Sequence, residues 1–202
     1  MTRPWNAGLR DDETAEAAGT EGPPEQAFAR VPPMIPIQEP SHMFHFTALD
    51  AAARSALPAL LDVSFGPNRQ SKIAYRFRDR VPEDERFGMA AWDGDLLIGG
   101  IQYWPCQVDG VTAQLLGPLA VAPAYRGRGA ARGLVNRSMK LVEDAGVDLI
   151  VLIGDPNLYL QYGFTPARGQ NLSIDGEPDH RVQMKPLTEA GRLATGLVTP
   201  SA

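Results

Sequence analysis

Six consecutive residues, Arg126-Gly127-Arg128-Gly129-Ala130-Ala131, set two fixed cations and two glycines at the point where an apolar strand gives way to a helix. Leu115, Leu116, Leu119, Ala120 and Val121 read as a buried strand, which Pro123 ends by removing a ladder donor. Beyond the turn, Ala131, Leu134, Val135, Ser138, Val142 and Ala145 recur at helical spacing, and Gly146 stands where a C-terminal cap belongs. A helix start leaves four N–H groups unpaired and carries a partial positive charge. Gly127 and Gly129 put no Cβ between that backbone and a ligand, and the Arg126 and Arg128 guanidinium forks match phosphate oxygens. The spacing therefore predicts a phosphate-binding turn. The competing reading is a plain helix-starting turn with incidental arginines.

Two better-known phosphate motifs fit less well. A Walker-type loop needs a Gly-Lys pair, which the chain lacks, and a dinucleotide fold wants Gly-x-Gly-x-x-Gly. Gly127, Gly129 and Gly133 give one residue too many for the second, and they fall late in the chain.

The elements that must position this turn read as mixed α and β. Residues 43–47 form a strand, and 51–63 a helix interrupted at Pro58. Residues 68–80 form a second helix with Ile73 and Phe77 on its apolar side. Residues 87–92 and 96–104 make a hairpin around Asp93-Gly94-Asp95, and Asp109-Gly110 turns into the strand that carries the motif. Residues 147–153 are an unbroken apolar run. A strand-helix-strand unit of this length favours parallel pairing with residues 115–121. The expected architecture is an α/β fold whose mostly antiparallel sheet contains one parallel pair.

The segment from Val121-Ala122-Pro123 through Arg126, Gly129 and Ala131 resembles the acyl-CoA site of the GNAT superfamily of N-acetyltransferases. Downstream, Gly154 to Phe164 reads GDPNLYLQYGF and resembles that family's Tyr-x-x-x-Gly-Phe segment, with Tyr159, Gly163 and Phe164 in place. The LGPLAV strand and the Gly-Asp-Pro before the tyrosine resemble a bacterial subgroup of predicted acetyltransferases. The resemblance covers residues 42 to 186 and is most specific between 115 and 164.

That resemblance implies a GNAT-like acyl-CoA N-acyltransferase fold whose two parallel strands splay apart. The backbone of Leu119, Ala120 and Val121 would then meet the pantetheine arm of acetyl-CoA. Arg126, Gly127, Arg128, Gly129, Ala130 and Ala131 would hold its pyrophosphate. Tyr159 falls at the general-acid position, and the Val121 N–H is the candidate for polarising the thioester carbonyl. The implied reaction is direct acetyl transfer from acetyl-CoA to a primary amine, without metal and without a covalent enzyme intermediate. An acyl-CoA-binding module without turnover, or a transferase for longer acyl groups, would use the same fold.

No general base is assigned. The strand 112–121 has no Asp or Glu, Gln114 can only position a water, and His180 could reach the site from a later strand. The family's frequent asparagine seven residues before the tyrosine is Leu152 here. His42 and His45 fall on opposite faces of one strand and do not share a metal, and Cys106 lacks the surroundings of a nucleophile. Arg69, Lys72 and Arg76 make a basic helical stripe. It reads as a solvated face, or as the border of a mouth for an acceptor bearing carboxylate or phosphate.

The whole chain bounds these readings. Its 202 residues suit one domain with a real core, and a net charge of -5 argues against a nucleic-acid partner. The single cysteine fits a reducing compartment. With no apolar run of membrane-spanning length and no signal-peptide core, the expected address is the cytoplasm. Residues 1–40, rich in Pro and acidic residues, read as a disordered arm, 41–190 as the acetyltransferase domain and 191–202 as a C-terminal tail. The unknown amine acceptor and a homodimer are the remaining partners the reading admits.

Overall fold

A computed structural model describes residues 44–71 and 73–201, together with the backbone but not the side chain of Ile73. The expectations for residues 1–40, His42 and Lys72 lie outside the described residues. In chain order the elements are β1 (His45–Ala48), α1 (Ala51–Phe65), α2 (Ile73–Arg78), β2 (Met89–Asp93), β3 (Leu96–Val108) and β4 (Val111–Val121). They continue with α3 (Ala130–Asp144), β5 (Leu149–Ile153), α4 (Pro156–Tyr159), β6 (Thr165–Pro166), β7 (Leu172–Ser173), β8 (Val182–Pro186), α5 (Glu189–Leu193) and β9 (Gly196–Pro200). The main sheet runs β1-β2-β3-β4-β5-β8-β6 and is antiparallel except where β4 meets β5. The path is the mostly antiparallel sheet with one parallel pair that the sequence implies, and off it the two-residue β7 adds a second parallel contact, with β9.

Both sheet faces are covered. On one, Leu134, Val135, Met139 and Val142 of α3 pack against Ile98, Ile101, Leu116, Ile150 and Leu152. Ser138 of α3, buried among them, hydrogen-bonds the Tyr103 hydroxyl across 2.9 Å and also donates to the Leu134 carbonyl. Gly133 brings α3 onto β1, because a Cβ there would overlap the Phe46 ring. On the other face, α1 sets Leu57, Leu60 and Leu61 against Ala90 and Ala120.

Three local expectations change. Helix α1 runs through Pro58 without interruption. Asp50 caps its start by accepting from the Ala53 N–H at 2.8 Å, and Pro58 sits on the exposed face, where bending around the core is tolerated. Residues 68–80 are not one helix, because a 3-10 turn at Pro67–Ser71, kinked at Asn68, precedes the short α2. The C-terminal segment is no tail. Strand β2 pairs only the first half of β3, and β9 fills the edge left open at Cys106 to Val108, burying Val198. Cys106 thereby becomes a core residue whose thiol burial pushes up, away from reactivity.

Asp148, just before β5, ties the end of the parallel pair opposite the motif. Its carboxylate accepts from the Thr188 hydroxyl at 2.6 Å and the Thr112 hydroxyl at 2.7 Å, and these bonds hold it below the usual carboxylate range. Its carbonyl accepts from the N–H groups of Leu187 and Thr188, and α5 then packs so closely that a Cβ at Gly191 would strike that oxygen. Gly191→Ala is therefore expected to lower stability by about 1–3 kcal/mol. Gly169→Ala, where a Cβ meets nothing within 4 Å, should be near neutral in the same thermal melt.

Candidate active site

Strands β4 and β5 pair from Ala113↔Leu149 to Leu116↔Leu152 and no further. The next two residues of β4 are Gly117, at φ 121°, and Pro118, joined by a cis peptide bond. Against β3 the register slips here: Tyr103 faces Leu116, yet Ile101 faces Leu119, so β4 carries one extra residue. The bulge reverses the alternation of side chains. Leu116 and Val121, five apart, share the α3 face, whereas Leu115 and Ala120 point elsewhere.

The same register assigns the backbone. The Ala122 N–H donates to the Ile98 carbonyl at 2.8 Å, so the Gly100–Ala120 pair also exchanges hydrogen bonds, and the pairs at Val121 and Leu119 do not. The N–H and C=O of Leu119 and Val121 therefore face away from β3, into the gap that opens beside β5. Ala120 pairs its backbone with Gly100 of β3 instead, while the residue itself borders the gap.

The chain turns through Pro123–Tyr125 into the glycine-rich loop, where Gly127 and Gly129 adopt φ of 76° and 93°. Here the glycines serve the left-handed backbone itself, with open space where a Cβ would project. Gly129 is the N-cap of α3 and offers no side-chain acceptor, which leaves the amides of Ala130, Ala131 and Arg132 unpaired within the helix. The two arginines diverge. Arg126 Nε donates to the Val121 carbonyl at 3.2 Å, while Arg128 lies over the rings of Tyr125 and Phe44, 5.2 and 5.8 Å from their centroids.

A cavity of about 480 Å³ joins these parts. It is lined by Leu119, Ala120, Val121, Arg126, Ala131 and Tyr159 of the expected set, while Gly127, Arg128, Gly129 and Ala130 lie outside its wall. Tyr159 ends α4, whose N-cap Asp155 accepts from the Asn157 N–H. Its ring stacks edge-on against Phe164 at 5.8 Å and covers Gly154, where a Cβ would come within 2.5 Å of it. Burial pushes the phenol up to about 12; Tyr162 adds to the rise and the Arg78 charge opposes it.

The two described members of the expected stripe, Arg69 and Arg76, do not share one solvated face. Arg69 is only 8 % exposed, its Nε donating to Asp62 at 2.7 Å and its Nη1 to the Tyr75 hydroxyl at 2.7 Å. Arg76 faces a separate shallow pocket with Phe77 and Arg80. Gln114 is buried outside the cavity and donates to Asp84, and His180 lies outside it too. Leu152 is buried in the core beneath α3. Ser64, Tyr75, Arg78 and Glu177 line the cavity and were missed by sequence reasoning. Glu177 and Arg78 come from a loop and a short helix whose sequences carry no local motif. The bulge did have a signal, since Gly117-Pro118 inside an apolar strand marks a break in pairing.

Residues 54–164 match the acetyltransferase (GNAT) family. The chain belongs to that family. A curated relative, the uncharacterized N-acetyltransferase YhbS of Escherichia coli strain K12, is 35 % identical over 121 residues, spanning 57 % of this chain and 70 % of the relative. The crystal structure of E. coli YhbS in complex with CoA superposes with a TM-score of 0.68 at 27 % identity, over 81 % of this chain and 92 % of that one. A GNAT acetyltransferase from Brucella melitensis in complex with acetyl-CoA shares the fold, with a TM-score of 0.60 at 18 % identity over 80 % and 97 % of the two chains. This GNAT chain is accordingly an acyltransferase.

Gly154→Ala should force the Tyr159 ring off Phe164. The expected outcome is a change in the aromatic NMR signals of both rings with a stability loss of about 1–3 kcal/mol.

Proposed function

We propose that this chain transfers an acetyl group from acetyl-CoA to a primary amine by direct attack in a ternary complex. The observation that carries the reading is the parting of β4 from β5, which turns the Leu119 and Val121 amides into one wall of a cavity that also holds Tyr159. The CoA-bound E. coli relative supports the donor. In this reading Leu119 and Val121 take the pantetheine arm as a missing strand, with Ala120 between them as packing. The amides of Ala130 and Ala131, Gly127, Gly129 and the Arg126 and Arg128 cations meet the pyrophosphate.

The amine nitrogen bonds to the thioester carbonyl carbon, the C–S bond breaks, and the thiolate takes a proton. The Val121 N–H faces the gap and is placed to stabilise the developing oxyanion. Tyr159 supplies the proton. At neutral pH its phenol is un-ionised, and because burial raises its pKa, transfer to a thiolate of reference pKa about 8.5 is uphill. Burial narrows that gap by raising the thiolate's proton affinity as well, the effect seen at Cys106. Of the two cavity carboxylates Asp155 is engaged in capping α4, so Glu177 is the one available to relay the ammonium proton.

Thiol release across an amine panel, with calorimetry for acetyl-CoA, tests the reading; absence of acetyl-CoA binding would overturn it. Tyr159→Phe is expected to lower kcat about 100-fold with the acetyl-CoA Kd unchanged. The acid works only while protonated, so its loss of rate comes as pH rises through about 12. Wild-type kcat should therefore show no alkaline decline below about pH 10; a decline centred lower that vanishes in Tyr159→Phe would contradict the raised pKa, and an unchanged kcat in Tyr159→Phe would contradict the acid role. Glu177→Gln should slow turnover most at low pH, where fewer amine molecules are already neutral.

A further inference from the structure

The cavity contains a cation that the donor chemistry does not use. Arg78, at the end of α2, lies with its guanidinium carbon 4.9 Å from the Tyr75 ring centroid and 4.8 Å from that of Trp104. Its Nε is sealed from solvent and has no hydrogen-bond partner; among the described residues no carboxylate forms a salt bridge with it, and its charge is supported only by the Tyr75 hydroxyl and the neighbouring Asp79. Its Nη2 lies 3.3 Å from where a Cβ on Gly117 would stand, which sets the charge against the bulge where β4 and β5 part. Burial lowers its pKa to about 10, and it remains a cation at neutral pH.

The other arginines of the wall are accounted for. Arg69 is paired with Asp62, Arg126 donates to Val121, and Arg181 has an exposed side chain. Ser64, from the last turn of α1, adds a second unsatisfied group on the same wall, a hydroxyl sealed from solvent with no partner. Unpaired buried donors are costly unless a ligand completes them. A planar guanidinium held by aromatic faces, with one unpartnered hydroxyl on the same cavity wall, matches a planar monoanion better than a phosphate, which draws more donors.

We propose that Arg78 is the anion-recognition residue of the acceptor half of this cavity, and that the acceptor is a small primary amine bearing a carboxylate. This rests on the acetyl-transfer reading above. The guanidinium would grip the carboxylate while the amine faces the parted strands, and Ser64 would contribute a further hydrogen bond.

The test uses product analogues on the full chain saturated with CoA. Calorimetry compares N-acetyl amino acids with matched acetamides lacking the carboxylate, such as N-acetylalanine against N-ethylacetamide, and with N-acetyl-O-phosphoethanolamine. At least one N-acetyl amino acid should bind roughly 10- to 100-fold more tightly than its acetamide. Arg78→Met should bring that ratio within about twofold, leaving the CoA Kd unchanged. Arg78→Lys, which keeps the charge, should retain part of the preference and serves if the Met variant does not fold. Equal binding of carboxylate and acetamide, or preference for the phosphate, overturns the proposal while CoA binding stands. So does an Arg78→Met enzyme with lowered kcat and unchanged acceptor KM, the signature of oxyanion stabilisation. Failure of the wild-type chain to bind CoA overturns the underlying reading instead.

Discussion

The constraint on which this molecule turns is that β4 must stay paired to β3 along its whole length while losing β5 after Leu116. One extra residue at Gly117-Pro118 achieves both. Pro118 has no N–H to offer a neighbour, and the bulge rotates the strand so that Val121, rather than Ala120, continues the face that Leu116 began. The opening is stable because the opposite end of the pair is clamped. Asp148 links the starts of β4 and β5 to α5 through Thr112 and Thr188, and the contribution of its lowered pKa is present at neutral pH and lost as pH falls through the folded value.

From that opening the site follows by short steps. Strand β4 leads straight into the loop that starts α3, so the amides in the gap and the amides of the helix start lie on one continuous stretch of chain. The far wall is built by packing. Gly154 leaves room for the Tyr159 ring, and Phe164 braces its edge. The phenol is thus held in place by apolar contacts, and the same contacts raise its pKa.

What could be read beforehand divides along physical lines. The strand, the glycine-rich turn and α3 were legible because each depends on neighbours in sequence: apolar period, positive φ and a helix cap. The continuity of α1 through Pro58 was not, since it depends on which face of the helix meets solvent. Strand β9 was missed for a similar reason, as its five residues pair only because β3 outruns β2. The basic stripe failed because helical spacing was assumed across residues that form a 3-10 turn and a separate short helix. Arg69 consequently turns inward to Asp62.

The two halves of the cavity also differ in how their chemistry is written. The proposed donor half uses backbone, so almost any side chain would serve and the sequence shows it only through Gly and Pro, the residues that shape backbone. The proposed acceptor half would use side chains from several elements that line the cavity: Ser64 from α1, Tyr75 and Arg78 from α2, and Glu177 from the loop before β8. Apart from Tyr75 and Arg78 on one short helix, they are brought together only by the fold, and none sits in a local pattern. A backbone site is preserved by keeping a bend, whereas a side-chain site can be changed by one substitution. It follows physically that one family fold can keep its donor while its acceptor varies, and that on the proposal made for Arg78 its unpartnered Nε bears on the acceptor where the glycine-rich loop does not.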